Sequence, residues 1–372
     1  MAPRTTPPFR ADHVGSLLRP PELLKARADR AAGTISAEEL RAIEDDAIRD
    51  VVRMQEGLGL QTATDGEFRR TSWHMDFIYQ LQGIHRTDEQ IEVHFRNAQG
   101  NLDFTSAALK VDGKIGLDHT IFGADFEFLK SVVTSGTPKL TIPSPSMVHY
   151  RGGPAAIDRD VYPDEDEFWA DLSAAYAEQV RQIAALGCTY LQLDDTSLAY
   201  LNDPAQRADL AAKGVDAEHQ HERYIRQINA ALAGRPESLH VTTHMCRGNF
   251  RSAWTAEGGY DFVAEALFGG LDVDGFFCEW DDERSGGFEP LRFVPPGKQV
   301  VLGLVTTKRP QLESKDELKR RIDEAAKYVP LDQLCLSGQC GFSSTVEGNN
   351  LTLDEEKAKL ALIVETAADV WG

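Results

Sequence analysis

The sequence predicts a (β/α)8 TIM barrel, one α/β domain over residues 1–372 enlarged by an inserted β-hairpin at about 83–120 and by an N-terminal extension. Three observations predict it. Short β-like runs alternate with helical patterns along nearly the whole chain, the rhythm of a parallel sheet covered by helices. Eight such runs can be counted, the number that closes a barrel. No G-x-G-x-x-G follows any of them, which disfavours the open doubly wound sheet that the same alternation allows.

The first run is Ala11-Asp12-His13-Val14-Gly15-Ser16, extended and ending in a Gly-Ser turn. A helix follows, opened by a capping box of Ser36 and Glu39 and carrying Leu40, Ile43, Ala47, Ile48, Val51 and Met54 at helical spacing. The second strand, 60–64, ends in Asp65-Gly66-Glu67-Phe68-Arg69-Arg70. From about 83 to 120 the rhythm breaks: 91–95 and 108–111 read as strands around Gly100-Asn101, hence the hairpin. A helix with Phe126, Phe128 and Leu129 leads to the third barrel strand, 139–142, which the prolines at 143 and 145 end. Helices at about 165–186 and 216–233 precede the fourth strand, 189–195, and the fifth, which opens at Leu239-His240-Val241 and runs into Thr242-Thr243-His244-Met245-Cys246. A helix around 264–267 precedes the sixth strand, 273–279, and the seventh is 299–305. After a helix at about 315–327 comes the eighth, 333–337, and a last helix at 353–369.

Composition narrows the function. With 42% hydrophobic and 26% charged residues the chain is an ordinary globular protein. Its net charge of −20 disfavours nucleic acid and anionic membrane as partners, since both call for a basic surface. No apolar run of membrane-spanning length and no signal-peptide pattern at Met1-Ala2-Pro3-Arg4-Thr5-Thr6 is present, so a cytoplasmic protein is expected. Five scattered cysteines do not make a disulfide framework; in a reducing compartment they serve as buried fillers, ligands or nucleophiles.

In a barrel the working residues sit just past the C-terminal ends of the strands. Those positions hold Gly15-Ser16, Asp65 and Glu67, Ser144 and Ser146, Asp194 and Asp195, His244 and Cys246, Cys278 and Glu279, Thr307 and Lys308, and Cys340. In an extended chain residues i and i+2 face the same side, so His244 and Cys246 can converge on one point. Alone, a His-x-Cys pair is weak evidence for metal. With Cys340 and a carboxylate near 279 it becomes a four-ligand set suited to tetrahedral zinc. Asp281, Asp282 and Glu283 are rival carboxylates and Cys278 is a rival thiol. Because Cys278 and Glu279 face opposite ways in a strand, only one of them should point at the metal.

These residues resemble the cobalamin-independent methionine synthase family, in a short form matching its catalytic C-terminal barrel. The resemblance runs over nearly the whole chain and is carried by His244-Met245-Cys246, Phe277-Cys278-Glu279, Gln339-Cys340-Gly341, Thr64-Asp65-Gly66-Glu67 with Arg69-Arg70, Gln192-Leu193-Asp194-Asp195 and Val14-Gly15-Ser16. It implies Zn2+ held by His244, Cys246, Glu279 and Cys340. It also implies homocysteine gripped by Ser16 near its carboxylate and by Glu67 and Asp194 near its ammonium, with a methyl group arriving from a methylated tetrahydrofolate to give methionine. The chemistry is coherent, because a free thiol with a pKa of about 8.5 is mostly protonated at neutral pH and the thiolate is the nucleophile.

The donor half departs from the family. Its proton-handling histidine after strand seven is matched here by Lys308, with His74 and His149 as substitutes. Its folate-stacking tryptophan segment has no match at Ile142-Pro143-Ser144-Pro145, and Trp73 is the available replacement. The additional N-terminal barrel of the long members has no counterpart in these residues, which leaves room for a smaller methyl donor. Two alternatives stand beside methionine formation: alkyl transfer to another thiol such as coenzyme M, and a metal-free barrel of the uroporphyrinogen decarboxylase type. A homodimer is compatible with the sequence.

Overall fold

The computed structural model describes residues 4–97 and 100–372; residues 1–3 of the expected N-terminal extension and residues 98–99 of the expected hairpin lie outside them. Ten strands are present among the described residues: β1 (Thr62–Ala63), β2 (Gln82–Asn97), β3 (Gly100–Gly116), β4 (Thr137–Pro138), β5 (Leu140–Pro143), β6 (Tyr190–Asp194), β7 (His240–Met245), β8 (Gly275–Glu279), β9 (Gln299–Val305) and β10 (Leu334–Gly338). Six of them form one parallel sheet in the order β10-β9-β8-β7-β6-β5. All positions of β5, β6, β8, β9 and β10 are buried, as expected of parallel strands covered on both faces.

The sheet is extended at both edges. Beyond β10, Ala11 forms a parallel bridge with Leu336, supported by Asp12 N–H to the Leu336 carbonyl at 3.0 Å and Leu336 N–H to the Arg10 carbonyl at 2.9 Å. On the other side β1 pairs in parallel with β4, which runs directly into β5. The first segment and β1 then meet through Leu17 N–H to the Gly66 carbonyl at 3.1 Å and Thr64 Oγ1 to the Gly15 carbonyl at 2.6 Å. Paired strand is shorter than the sequence suggests at the second position, two residues against five, because the chain turns at Asp65-Gly66 as soon as it reaches the rim.

Helices cover the outside where the apolar periodicity places them. The helix Ala37–Gly57 has the predicted capping box and buries Ala47, Ile48, Val51 and Val52. Glu165–Ala185, Gln220–Leu232, Lys315–Ala325 and Leu353–Trp371 follow, with Asp164 capping the first and Thr352 with Glu355 boxing the last. Strands β2 and β3 form a long antiparallel ribbon. Its base packs Ile84, Leu109, Val111 and Ile115 into the main core. Toward its tip, Val93 and Phe95 with Phe104 across the register share one face and pack on Phe250.

Candidate active site

Strand register brings the chemistry together. In the β6-β7 ladder Asp194 lies opposite His244, and in the β7-β8 ladder His244 lies opposite Phe277. Cys246 follows the end of β7 by one residue and Cys340 follows β10 by two, so both sulfurs reach the same rim. One nitrogen of His244 and the Sγ atoms of Cys246 and Cys340 all lie within 4.8 Å of one another, and all three residues are buried. The two Sγ atoms are 3.5 Å apart. Two thiolates about 2.3 Å from a tetrahedral zinc would be roughly 3.8 Å apart, so the pair needs only a small adjustment to fit the ion. Neither ring nitrogen of His244 has a hydrogen-bond partner among the described residues. A buried imidazole without partners is costly, and a metal is the ligand that would satisfy it.

The two sulfurs share their proton unequally. Contact with Cys246, helped by His244 and Lys308, holds the Cys340 thiol well below its ordinary range, whereas the same contact and burial push Cys246 up. For His244, burial alone would lower the pKa, but Cys340, Asp194 and Glu279 outweigh it and the net shift is upward. The donor set is thus anionic in character, as a divalent cation requires.

Glu279 is held behind this triad and its oxygens are not part of the 4.8 Å cluster. Fully buried, its carboxylate accepts from Arg284 at 2.8 Å, from Lys308 Nζ at 3.0 Å and from the Arg247 backbone N–H at 2.6 Å. Burial would raise its pKa; Lys308, Arg284 and Arg247 outweigh that and depress it. Asp281 also pairs with Lys308, at 3.6 Å, while Cys278 sits in the hydrophobic core. Lys308, predicted to handle a proton for the donor, faces these carboxylates and does not line the pocket. Burial acts to lower its pKa, yet Asp281 and Glu279 raise it on balance, so it holds its proton more tightly than a free lysine.

Above the triad is a pocket lined by Ser16, Glu67, Trp73, His74 and Asp194 together with His244, Cys246 and Cys340. Glu67 reaches it from a turn in which Gly66 has φ +66° and Glu67 itself φ +60°, a backbone region that side chains rarely adopt. The turn is fixed by Glu67 N–H to Asp65 Oδ1 at 2.9 Å and by Arg19 donating to the Glu67 carbonyl at 2.7 Å. Backbone in this sparsely populated region persists only where the surrounding contacts hold it. Thr141 Oγ1 donates to Glu67 Oε1 at 2.7 Å, while Oε2 is buried without a partner among the described residues. Burial raises the pKa of Glu67 and, with a contribution from Glu67, lifts that of Asp194 to about 7. Ser16 is locked by the loop after β10: Phe342 N–H donates to its carbonyl at 2.9 Å, and Gly341 packs so closely that a Cβ there would collide with Ser16 Oγ.

His74 stacks on Trp73 at 4.3 Å, with Nδ1 at 3.1 Å from Ser72 Oγ. Burial and the Arg151 charge drop its pKa to about 3, so its ring is neutral. His149 lies elsewhere, with Nδ1 at 2.9 Å from Tyr224 OH and its ring against Trp169; it lines a different cleft. Among the wall residues that sequence reasoning missed are Phe95, Phe104, Phe250 and Arg151. The aromatic alternation along the ribbon was the available signal for the first two; Arg151 had none.

The catalytic-domain model of the cobalamin-independent synthases matches residues 9–99 and 138–369, and the chain belongs to that family. The family is one of methionine synthase-like methyltransferases. The unmatched stretch, 100–137, contains β3 and the helix Gly123–Val132. The uncharacterized protein YxjG of Bacillus subtilis (strain 168) is 48% identical over 99% of this chain and 96% of its own length. The methionine synthase of Pyrococcus abyssi is 25% identical over 88% of this chain and 85% of its own. Among solved structures, one from Listeria monocytogenes, provisionally assigned as a vitamin-B12 independent methionine synthase, superposes with a TM-score of 0.79 at 38% identity, covering 99% of this chain and all of that one.

Proposed function

We propose that this chain transfers a methyl group to the thiol of homocysteine, giving methionine, with a methylated tetrahydrofolate as donor and zinc as cofactor. The observation that carries the reading is the buried His244, Cys246 and Cys340 triad, whose imidazole has no partner among the described residues, in one pocket with two buried carboxylates. These three residues would hold the metal, with Glu279 as the fourth donor and Lys308, Arg284 and Arg247 positioning its carboxylate. Bound zinc supplies a Lewis acid that keeps a thiol ionised at neutral pH.

Every other role falls to the protein. Glu67 and Asp194 receive the ammonium of the acceptor, and Ser16 its carboxylate. Trp73 and His74 form the wall against which a planar donor stacks. As the sulfur gains the methyl group, the donor nitrogen leaves with the bonding pair and takes up a proton. His74, neutral and hydrogen-bonded to Ser72, passes its own ring N–H proton to that nitrogen and regains one from solvent, whereas Lys308 serves by neutralising Glu279 and Asp281. The parallel segments from Ala11 round to β10 are read as a closed eight-stranded barrel making one domain.

Zinc analysis of the purified protein tests the metal site. About one zinc per chain is expected in the wild type and loss of it in His244→Ala and Cys340→Ser. Full retention in both variants overturns the ligand assignment.

A further inference from the structure

Beside the pocket lies a second cleft of about 560 Å³, lined by the β2-β3 ribbon and the helix Pro204–Ala212. Two residues, Phe95 and Arg151, line both spaces and so form the wall between them. Arg151 follows the short helix Ser146–Tyr150 and is half-buried. Its guanidinium lies 5.8 Å from the Tyr200 ring centroid, and no carboxylate comes within 4.0 Å of it among the described residues.

The other basic groups around the cleft are already matched. Arg96 pairs with Glu257 at 2.9 Å, Lys213 with Asp209 at 2.9 Å, and His94 with Asp103 at 2.8 Å. Glu92 adds a further acid to the same cleft. Among the described residues, Arg151 is therefore the cation of this wall whose guanidinium fork is open to a ligand, and that fork suits a carboxylate. Next to it Phe95, Phe104 and Phe250 form an aromatic cluster, with ring centroids 4.7 Å apart for Phe104 and Phe250. An aromatic surface beside a single open guanidinium fits a ligand with a flat body and a carboxylate-bearing tail.

We propose that Arg151 is a specificity-determining residue that binds a carboxylate on the tail of the methyl donor, the tail leaving the pocket through the cleft between the ribbon and the Pro204–Ala212 helix. This rests on the folate donor proposed above. The acceptor is assigned elsewhere, because Ser16, Glu67 and Asp194 line the pocket but not the cleft.

Calorimetric binding of 5-methyltetrahydrofolate, and of the matching methylated pterin without the glutamate tail, tests this in wild type, Arg151→Met and Arg151→Lys. Loss of a charge-assisted hydrogen bond predicts about tenfold or more weaker binding of the tailed donor by Arg151→Met, partial recovery in Arg151→Lys, and no change for the tailless pterin. Zinc content and homocysteine affinity stay at wild-type values. The proposal is overturned if the tailed donor binds wild type and Arg151→Met alike, if wild type does not prefer the tailed donor or binds neither, or if the loss falls on homocysteine. Failure of the proposed reaction is separate: it shows as absence of methionine from wild-type enzyme whatever Arg151 does to binding.

Discussion

Three cationic residues converge on Glu279, and that arrangement sets the electrostatics of the site. A buried carboxylate is tolerated only when paired, and removing one partner leaves charge uncompensated. Lys308→Met is expected to cost roughly 3–5 kcal/mol, toward the low end because Arg284 remains, and to lower the melting temperature accordingly. An unchanged melting temperature would mean that the pair carries no such load. In the pocket, Glu67 and Asp194 are buried, Glu67 with an Oε2 that has no partner among the described residues, and both are proposed to take an ammonium. Glu67→Gln and Asp194→Asn each remove a charge-assisted contact of about 1.5–3 kcal/mol, which raises the KM for homocysteine about 10–100-fold with zinc content unchanged. Steady-state kinetics that show an unaltered KM in both variants would remove these residues from the acceptor site. Residue identities at the strand ends were readable in the sequence because ligand types recur there in order. What Lys308 touches was not, since an ion pair across 29 positions with Glu279 depends on how two neighbouring strand ends face each other.

Among the elements, the last helix is tied to the first strand segment by Glu356, whose Oε2 accepts from Leu18 N–H at 2.7 Å. Burial raises the pKa of this carboxyl to about 8, with the Leu18 contact opposing the shift. An unfolded glutamate ionises at about 4.3. Between these values the native state keeps a proton that the unfolded state has released, so this residue makes stability fall as pH rises from about 4 to about 8 and then level off. Glu356→Gln keeps an oxygen for Leu18 but cannot ionise, so it should be more stable at pH 9 by something on the order of a few kcal/mol and show a flatter pH profile. Thermal unfolding from pH 5 to 9 checks this; parallel profiles for the two proteins would contradict it. Helices such as Ala37–Gly57 were legible from capping and periodicity, and β9 from an unbroken apolar run. The ribbon was legible as a pair of strands but not in its reach: its strands run to 16 and 17 residues, and only tertiary packing brings Phe95 and Phe104 onto Phe250.

For the molecule as a whole, one parallel sheet gathers residues as far apart as Ser16 and Cys340 at a single rim. Alternation of strand and helix made that convergence predictable, because parallel strands all end on the same side. Two features that shape the pocket were beyond it: the positive-φ turn that lifts Glu67, and the open Arg151 beside the second cleft. The central claim is that a thiolate-activating metal triad and an ammonium-binding acidic wall together make methionine. Its most direct test is to incubate zinc-loaded protein with homocysteine and 5-methyltetrahydrofolate and to measure methionine. Methionine formed by the wild type and abolished in Cys340→Ser is the predicted result; a fully zinc-loaded wild type that forms none would contradict it.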